Sequence, residues 1–476
     1  MKIYEGIICN RIVRFLQKNG ILSPYQAAYR KKKSTADQIL IIHELFLEYR
    51  FNKVGPRGGK IRKVLYLCFL DFRKAFDTVP RHILFYKLHK LGITRKLLRV
   101  IQNLFSSNPA NVLIDGFLSP DFVINRGVLQ GSKLGPILFN IFINDLLNEL
   151  QNTGIGAFIG PIHIPALGFA DDIVLISDDP EKLQKLIDKC QSWASKNGMS
   201  FNTSKCKVMV FNGSSTDMIF TLNDEQLQIV ETYKYLGVIL SSKYITNLFR
   251  QHYAKITQKA RIRSNILKRH GFHEDGLRLK TAIRLYKIVI RPILEYCGQT
   301  LSYSRYRQQS RGAEPNGFAR ELEHLQTQIL KNIINCPRST SPSIVRLFCC
   351  VEPLMCRFEM LKLRYFWKTL KCSTDSITHK VLKYRKENLL AIDKGFAHEV
   401  FNICCKYKLL HLWHGSAANH KNPPQAIKKI IISHNLQKDL DIGRKKKCSF
   451  VSIFLIDPKG YEKNYRLAET CPSIDS

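Results

Sequence analysis

Acidic residues are scarce in this chain: 38 Asp and Glu stand against 74 Lys and Arg, a formal net charge of +36 over 476 residues. So lopsided a surface favours a polyanionic partner, meaning nucleic acid or an anionic membrane face. The plainer reading is a basic surface that only keeps the chain dissolved. Long apolar runs are missing too. The longest, near Val64–Leu70, falls far short of the roughly 20 residues that a bilayer-spanning helix needs, so no membrane partner is expected. The N-terminus, MKIYEGIICNRIVRFLQKNG, has no continuous apolar stretch, which argues against a secretory signal. It reads as an amphipathic helix with Ile3, Ile7, Ile8, Ile12 and Phe15 on one side. No Cys-x2-Cys pair occurs among the 14 cysteines, and Cys68, Cys190, Cys297 and Cys349 sit in apolar surroundings. That pattern fits free buried thiols in a reducing, intracellular compartment better than a disulfide framework. The nearest thing to a metal cluster, Cys404, Cys405, His411 and His414, has the spacing of no familiar zinc module. There is no internal repeat of the length that marks a solenoid.

What is present is enough apolar material, 45% of residues, for a sizeable core and more than one domain. Helix signals cover about 36–50, entered through Ser34 or Thr35, then 80–91, 94–106, 136–151 and 181–196. The apolar run KVLYLCFLD (63–71) reads as a central strand buried on both faces. Asn111–Ile114 and Phe117–Asn125 flank an Asp115-Gly116 turn, a hairpin signal. Ile162–Phe169, Ile173–Ser177, Lys207–Phe211 and 234–242 read as further strands, and GPRGGKIRK (55–63) as a basic turn. Beyond about 240 the pattern turns helical, at about 246–269, 276–296, 318–335 and 356–371, with linker-like breaks at 312–317 and 415–424.

The string LGFADDIVLIS (167–177) places Asp171 and Asp172 side by side in an apolar segment. Neighbours on a straight strand point to opposite faces, so two adjacent acids serve one site only at a hairpin tip. The bland alternative is that Asp is a good turn residue. Asp71, at the end of the buried strand, raises the stakes. If that strand lies beside the hairpin, three carboxylates converge on one edge, and they repel unless a cation neutralises them. Hard oxygen ligands suit Mg²⁺. Two such ions about 3.5–4 Å apart activate an attacking hydroxyl and stabilise a leaving oxygen in phosphoryl transfer. Metal-assisted nucleotidyl transfer on a nucleic acid is the function these residues favour.

LDFRKAFDTVPR (70–81), GVLQGSKLGPILFNIFINDL (127–146) and LGFADDIVLIS resemble, in that order, motifs A, B and C of reverse transcriptases, most nearly the non-LTR (LINE-type) retrotransposon family. ILSPYQAAYRKKKSTADQI (21–39) upstream, MSFNTSKCKVMVF (199–211) as motif D and YKYLGVILSS (233–242) as motif E extend the likeness, which covers about residues 1–350. The resemblance implies an α+β fold: a right-hand polymerase with palm and fingers on an antiparallel sheet over 1–240, a helical thumb over 241–311, a mostly helical C-terminal region over 318–414, and an unassigned basic segment over 425–476. It implies RNA-directed DNA synthesis, with an RNA template, a DNA primer and deoxynucleoside triphosphates as partners and two Mg²⁺ ions as cofactors. Asp71, Asp171 and Asp172 fall on the metal positions, joined by the backbone carbonyl of Phe72. Phe76 matches the steric gate against a ribose 2′-hydroxyl. Gln130 and Gly131 match the motif B loop at the nascent pair. Lys205 matches the lysine that protonates pyrophosphate, Arg30 a triphosphate contact, and Tyr235, Leu236 and Gly237 the primer grip.

Read without the resemblance, Phe76 is core, Lys205 a solvated lysine, and Tyr235–Gly237 routine strand residues. The family's first fingers strand and its endonuclease would precede Met1, and no zinc knuckle is recognisable, so a truncated open reading frame is expected. Two other functions compete: an inactive RNA-binding relic, and an RNA-dependent RNA polymerase or maturase-like factor. The resemblance places the work in the nucleus, with Arg444–Lys447 the sole short basic run that resembles an address.

Overall fold

The computed structural model describes residues 2–51, 63–106, 109–213, 218–243, 247–272, 276–302, 317–372, 375–389, 395–414 and 423–445. Most of the 55–63 turn, most of the 312–317 break, most of the 415–424 break and the C-terminal part of 425–476 lie outside them. The chain forms two units, one of Met1–Tyr233 with Cys372–Tyr384, the other of Lys234–Lys371 with Arg385–Ser476. Helix and sheet mix in the first unit and helices dominate the second, an α+β arrangement.

In chain order the first unit contains helices α1 (Lys2–Lys18) and α2 (Thr35–Phe51), strand β1 (Leu65–Leu70), helices α3 (Arg81–Lys90), α4 (Arg95–Ser106) and α5 (Gly135–Asn152), the hairpin strands β2 (Ala166–Phe169) and β3 (Asp172–Ser177), helix α6 (Pro180–Lys196), and strands β4 (Lys207–Phe211) and β5 (Gln228–Ile229). The sheet order is β5-β4-β1-β3-β2, antiparallel except for the β4–β5 edge pair. Every side chain of β1 is buried. Tyr66, Cys68 and Leu70 join the core beneath α3, α5 and α6, while α2 covers the other side, where Phe46 meets Phe211 edge-on at 5.7 Å. Each such buried side chain stabilises by about 1.5–3 kcal/mol, and two-sided burial is why the strand reads as an unbroken apolar run.

Three sequence expectations change. In α1 it is Glu5, Ile8, Ile12 and Leu16 that are buried, while Ile3 and Ile7 are 82% and 52% exposed. Glu5 turns the helix: its Oε2 accepts from the Lys133 amide at 2.9 Å and the Ser132 hydroxyl at 3.1 Å. The expected strand 162–169 is broken at Pro165, which has no N–H to donate. Ile162–Ile164 instead pairs with Ala157–Ile159, and only Ala166–Phe169 pairs with β3. The strand expected from Phe117 to Asn125 is interrupted. Leu113–Ile114 pairs with Phe117–Leu118, and Pro109–Ala110 with Phe122–Val123. Asp115 and Gly116 do turn that hairpin, at φ 48° and 86°, the left-handed pair of a tight hairpin turn. Its tip is apolar and bare, with Leu113 66%, Ile114 65%, Phe117 81% and Leu118 69% exposed.

In the second unit, helices run over Arg250–Arg269, Leu279–Glu295, Gly317–Ile333, Pro342–Cys349, Leu354–Leu370, Phe396–Lys406 and Pro423–Lys445. The Leu279–Glu295 segment widens into a π turn over Tyr286–Ile290, just before Pro292, whose missing N–H interrupts the helical ladder. Arg357 pairs with Glu295 at 2.9 Å and Arg346 with Asp439 at 2.7 Å in its interior. Cys404 is buried and Cys405 exposed on one helix.

Candidate active site

Asp71 follows directly on β1, and its backbone is fixed from the segment before β4. The Asp71 N–H donates to Cys206 Sγ at 3.4 Å, and its carbonyl accepts from the Asn202 amide at 2.8 Å. The next residue, Phe72, is buried and stacks on Phe201 at 4.4 Å, with Trp193 edge-on at 6.2 Å. The chain therefore leaves the sheet at a set angle with the Asp71 carboxylate on its edge. Lys205 Nζ lies 3.5 Å from that carboxylate and is itself mostly exposed.

β3 runs antiparallel to β1 with Leu70 opposite Ile173. The next residues on the two strands are Asp71 and Asp172, so both acids leave the ladder at the same end. Between β2 and β3 the turn is made by Ala170, in the left-handed region at φ 57°, and Asp171. So the hairpin brings Asp171 and Asp172 to the edge where Asp71 ends. Desolvation, then the charges of Asp171 and Asp71, push the Asp172 carboxyl up to about 6. Asp171 is raised by desolvation and by Asp71. Two tyrosines feel the same negative field. Tyr233, stacked on Phe69 at 3.9 Å, is pushed up to about 12 by burial, then by Asp172 and Asp71. Tyr29 is raised by burial, then by Asp171.

The expected convergence is therefore present as a shared edge and not as a closed cage: among the described residues no three His, Cys, Asp or Glu side chains are gathered tightly enough for one. Like charges repel, and Lys205 draws Asp71 its own way. The donor set still fits a hard divalent cation. Three carboxylates share one edge, and the negative charges of Asp171 and Asp71 add to the desolvation that raises Asp172.

Loop 127–134 is zipped to the turn after Asp71. The Gly127 amide donates to the Val79 carbonyl and the Val128 amide to the Phe76 carbonyl, both at 2.8 Å. Gly127 has φ +82°, and a Cβ there would lie 2.7 Å from the Asp77 carbonyl oxygen, so only glycine fits this approach. Phe76 is half-buried and stacked on Phe139 at 4.5 Å. Gln130 Nε2 donates to Asp77 Oδ1 at 2.8 Å. Gly131 is left-handed with open space around it. Phe76, Gln130 and Gly131 thus share one patch with the turn that follows Asp71.

The reverse transcriptase (RNA-dependent DNA polymerase) family profile matches residues 1–240. The chain belongs to the reverse transcriptase family. Over 343 residues it is 28% identical to the RNA-directed DNA polymerase of the mobile element jockey from Drosophila funebris, covering 71% of this chain and 34% of that protein. Over 362 residues it is 27% identical to a Pol polyprotein of the type-1 retrotransposable element R2 from Popillia japonica, covering 69% of this chain and 48% of that protein. The chain thus spans between a third and a half of the length of these curated relatives. A solved telomerase from Candida tropicalis in complex with a fragment of telomeric RNA aligns with 91% of this chain and 56% of that one, at 11% identity and TM-score 0.41.

Arg30 and the expected primer-grip residues are held by contacts of their own. Arg30 Nη1 donates to the carbonyls of Ser23 at 2.6 Å and Gln26 at 3.1 Å, so its guanidinium braces its own loop. Lys33 joins it, donating to Pro24 at 2.8 Å and Gln26 at 3.3 Å. Burial, then the charge of Arg30, push Lys33 down to about 7 against the pull of Asp37. Tyr235, Leu236 and Gly237 form a tight hairpin turn, with Leu236 and Gly237 at φ 44° and 83°. The Tyr296 hydroxyl donates to the Leu236 carbonyl at 2.7 Å.

The structure adds residues that the sequence did not single out. Arg81 is buried and donates to four backbone carbonyls: Phe105 at 2.8 Å, Ile124 at 2.6 Å, Arg126 at 3.3 Å and Gly127 at 3.0 Å. Its guanidinium also lies over the Phe105 ring at 5.2 Å. Asp77 orients Gln130, and Gln26 holds the turn at Ala170.

Proposed function

We propose that the chain is the polymerase part of a non-LTR retrotransposon protein and copies RNA into DNA. The first unit is its fingers and palm, and the second begins with its thumb. The observation that carries the reading is the antiparallel register that ends at Leu70 opposite Ile173, with Asp71 next on one strand and Asp172 and the Asp171 turn next on the other, in a chain of the reverse transcriptase family.

In the reaction a primer 3′-hydroxyl attacks the α-phosphorus of a deoxynucleoside triphosphate. The new bond is a phosphodiester, and the bond broken releases pyrophosphate. Asp71 and Asp171 would hold the metal ions, with Asp172 and the Phe72 carbonyl in support. Bound divalent ions supply charge neutralisation of the phosphates and a more acidic primer hydroxyl. Lys205, exposed and 3.5 Å from Asp71, reaches the mouth of the site as an ammonium that can give its proton to the departing pyrophosphate. Phe76 is a rigid wall because Phe139 backs its ring. A sugar carrying a 2′-hydroxyl meets that wall, whereas a deoxyribose does not. The +36 charge holds the polyanionic template and primer, and the work takes place in the nucleus.

The test is primer extension by the purified chain on a primed RNA template with Mg²⁺ and deoxynucleotides. Extension is expected, and Asp171→Ala abolishes it while leaving salt-dependent RNA retention on a filter unchanged. Retention without extension under any condition would show an RNA-binding relic, and extension that survives Asp171→Ala would overturn the site.

A further inference from the structure

The turn that carries the paired acids is an improbable piece of backbone. Ala170 is 5% exposed and left-handed, a conformation that a side chain disfavours. In so tight a turn its N–H and carbonyl also need partners from outside the hairpin. Both come from one side chain 144 positions away. Gln26 Oε1 accepts from the Ala170 amide at 3.0 Å, and Gln26 Nε2 donates to the Ala170 carbonyl at 3.3 Å. Gln26 is 1% exposed, so water offers neither group a substitute.

The same residue is tied to the fingers loop on its other side. Gln26 Oε1 also accepts from the Ala28 amide at 3.0 Å. Its backbone carbonyl receives both Arg30, at 3.1 Å, and Lys33, at 3.3 Å. The adjoining backbone runs along the hairpin, where the Ala27 amide donates to the Gly168 carbonyl at 2.9 Å and the Gly168 amide to the Tyr25 carbonyl at 3.1 Å. Two further buried amides complete the tie. Gln38 Nε2 donates to the carbonyls of Tyr25 and Gly168, and Asn140 Nδ2 to that of Ala28.

From this we infer that Gln26 is a positioning residue of the polymerase site: it holds Ala170 in its left-handed turn, so aiming Asp171 and Asp172, and it joins that turn to the loop bearing Arg30 and Lys33. The inference rests on the proposed metal-binding role of the acids. Gln26 touches neither substrate nor metal. Its effect passes through the backbone of Ala170, as an outer partner orients a ligand.

The test pairs Gln26→Met, which keeps length but loses all three side-chain hydrogen bonds, with Ala170→Gly, which takes the left-handed turn without steric cost. Mn²⁺ binding to the protein alone, read by loss of the free-ion electron paramagnetic resonance signal, reports on the acids without any turnover. Gln26→Met is expected to weaken Mn²⁺ binding roughly 10- to 100-fold. In primer extension it raises the Mg²⁺ needed for half-maximal rate and lowers kcat, with KM for primer-template unchanged. Adding Ala170→Gly recovers roughly fivefold of the lost affinity, a rescue that a merely structural role would not give. Should Gln26→Met fail to fold by circular dichroism, Gln26→Glu carries the test, since its carboxylate sets oxygen against the Ala170 carbonyl. Wild-type extension with Mn²⁺ affinity unmoved by substitution, or no rescue by Ala170→Gly, overturns the positioning role alone. A wild-type chain that neither extends primers nor binds Mn²⁺ overturns the metal reading, and this inference with it.

Discussion

Arg81 ties the loop carrying Gln130 to the rest of the first unit, and its removal has a calculable cost. Its guanidinium serves four carbonyls drawn from α4, the exposed hairpin's return strand and the loop start. A hydrogen bond from a charged donor contributes about 1.5–3 kcal/mol, and stacking over Phe105 about 0.5–2 kcal/mol. The sum overstates the loss, because the guanidinium is itself desolvated and some carbonyls regain water. A buried carbonyl left without a donor costs about 1–3 kcal/mol, so with two of the four left dry we expect a loss of about 3–5 kcal/mol for Arg81→Met. Arg81→Lys recovers little, since one ammonium cannot span the spread of acceptors that a planar fork reaches. In a domain of this size each kcal/mol moves the melting point by about 2–4 °C, so the first unit should melt roughly 6–20 °C lower. Thermal unfolding measures the total. Amide exchange locates it, with protection at Gly127 and Val128, whose amides bond to Val79 and Phe76, lost first. A variant that melts within about 1 °C of wild type and keeps those two amides protected would refute the reasoning.

Three shorter predictions follow from the same geometry. Replacing Phe76 with Ala removes the ring braced by Phe139, and selection against ribonucleotides should fall roughly 10- to 200-fold; competition between labelled nucleotides measures it. The Asp172 carboxyl is held up to about 6, so metal binding should strengthen as pH rises through that value and then level off, as Mn²⁺ titration at several pH values would show. The folded chain keeps this proton to higher pH than the unfolded chain, so the group's contribution to stability is lost as pH rises through that window. Without divalent ions, Asp172→Asn should therefore raise the melting point at about pH 8 and leave it little changed at about pH 4. Gly127→Ala meets both a left-handed backbone and the Asp77 carbonyl; a loss of about 1–3 kcal/mol, read from urea midpoints, is expected.

What the residues disclosed on their own, and what they did not, divides along a physical line. The strand at 65–70 was legible because burial on both faces writes an apolar run into the sequence. The Asp115-Gly116 turn was legible because few residue pairs tolerate two positive φ values. The shared edge of Asp71 and Asp172 followed from one buried strand and one hairpin tip lying side by side. Arg81 and Gln26 were not legible, because their partners are backbone groups of distant residues. Any residue supplies a carbonyl, so such partners leave no mark in composition or spacing. The buried face of α1 was misread for a related reason: Glu5 follows the Lys133 amide, and that pull outweighs the apolar periodicity.

The bare tip at Leu113, Ile114, Phe117 and Leu118 governs how the free protein behaves in a test tube. At +36, copies repel one another while salt is low, and the sticky tips rarely meet. The usual remedy for a basic protein contaminated with nucleic acid is a wash at high ionic strength, and this shortens the reach of repulsion from about 8 Å at physiological salt to about 3 Å at molar salt. The same wash that strips polyanions therefore lets tips collide, so a preparation freed of nucleic acid becomes less soluble as it becomes cleaner.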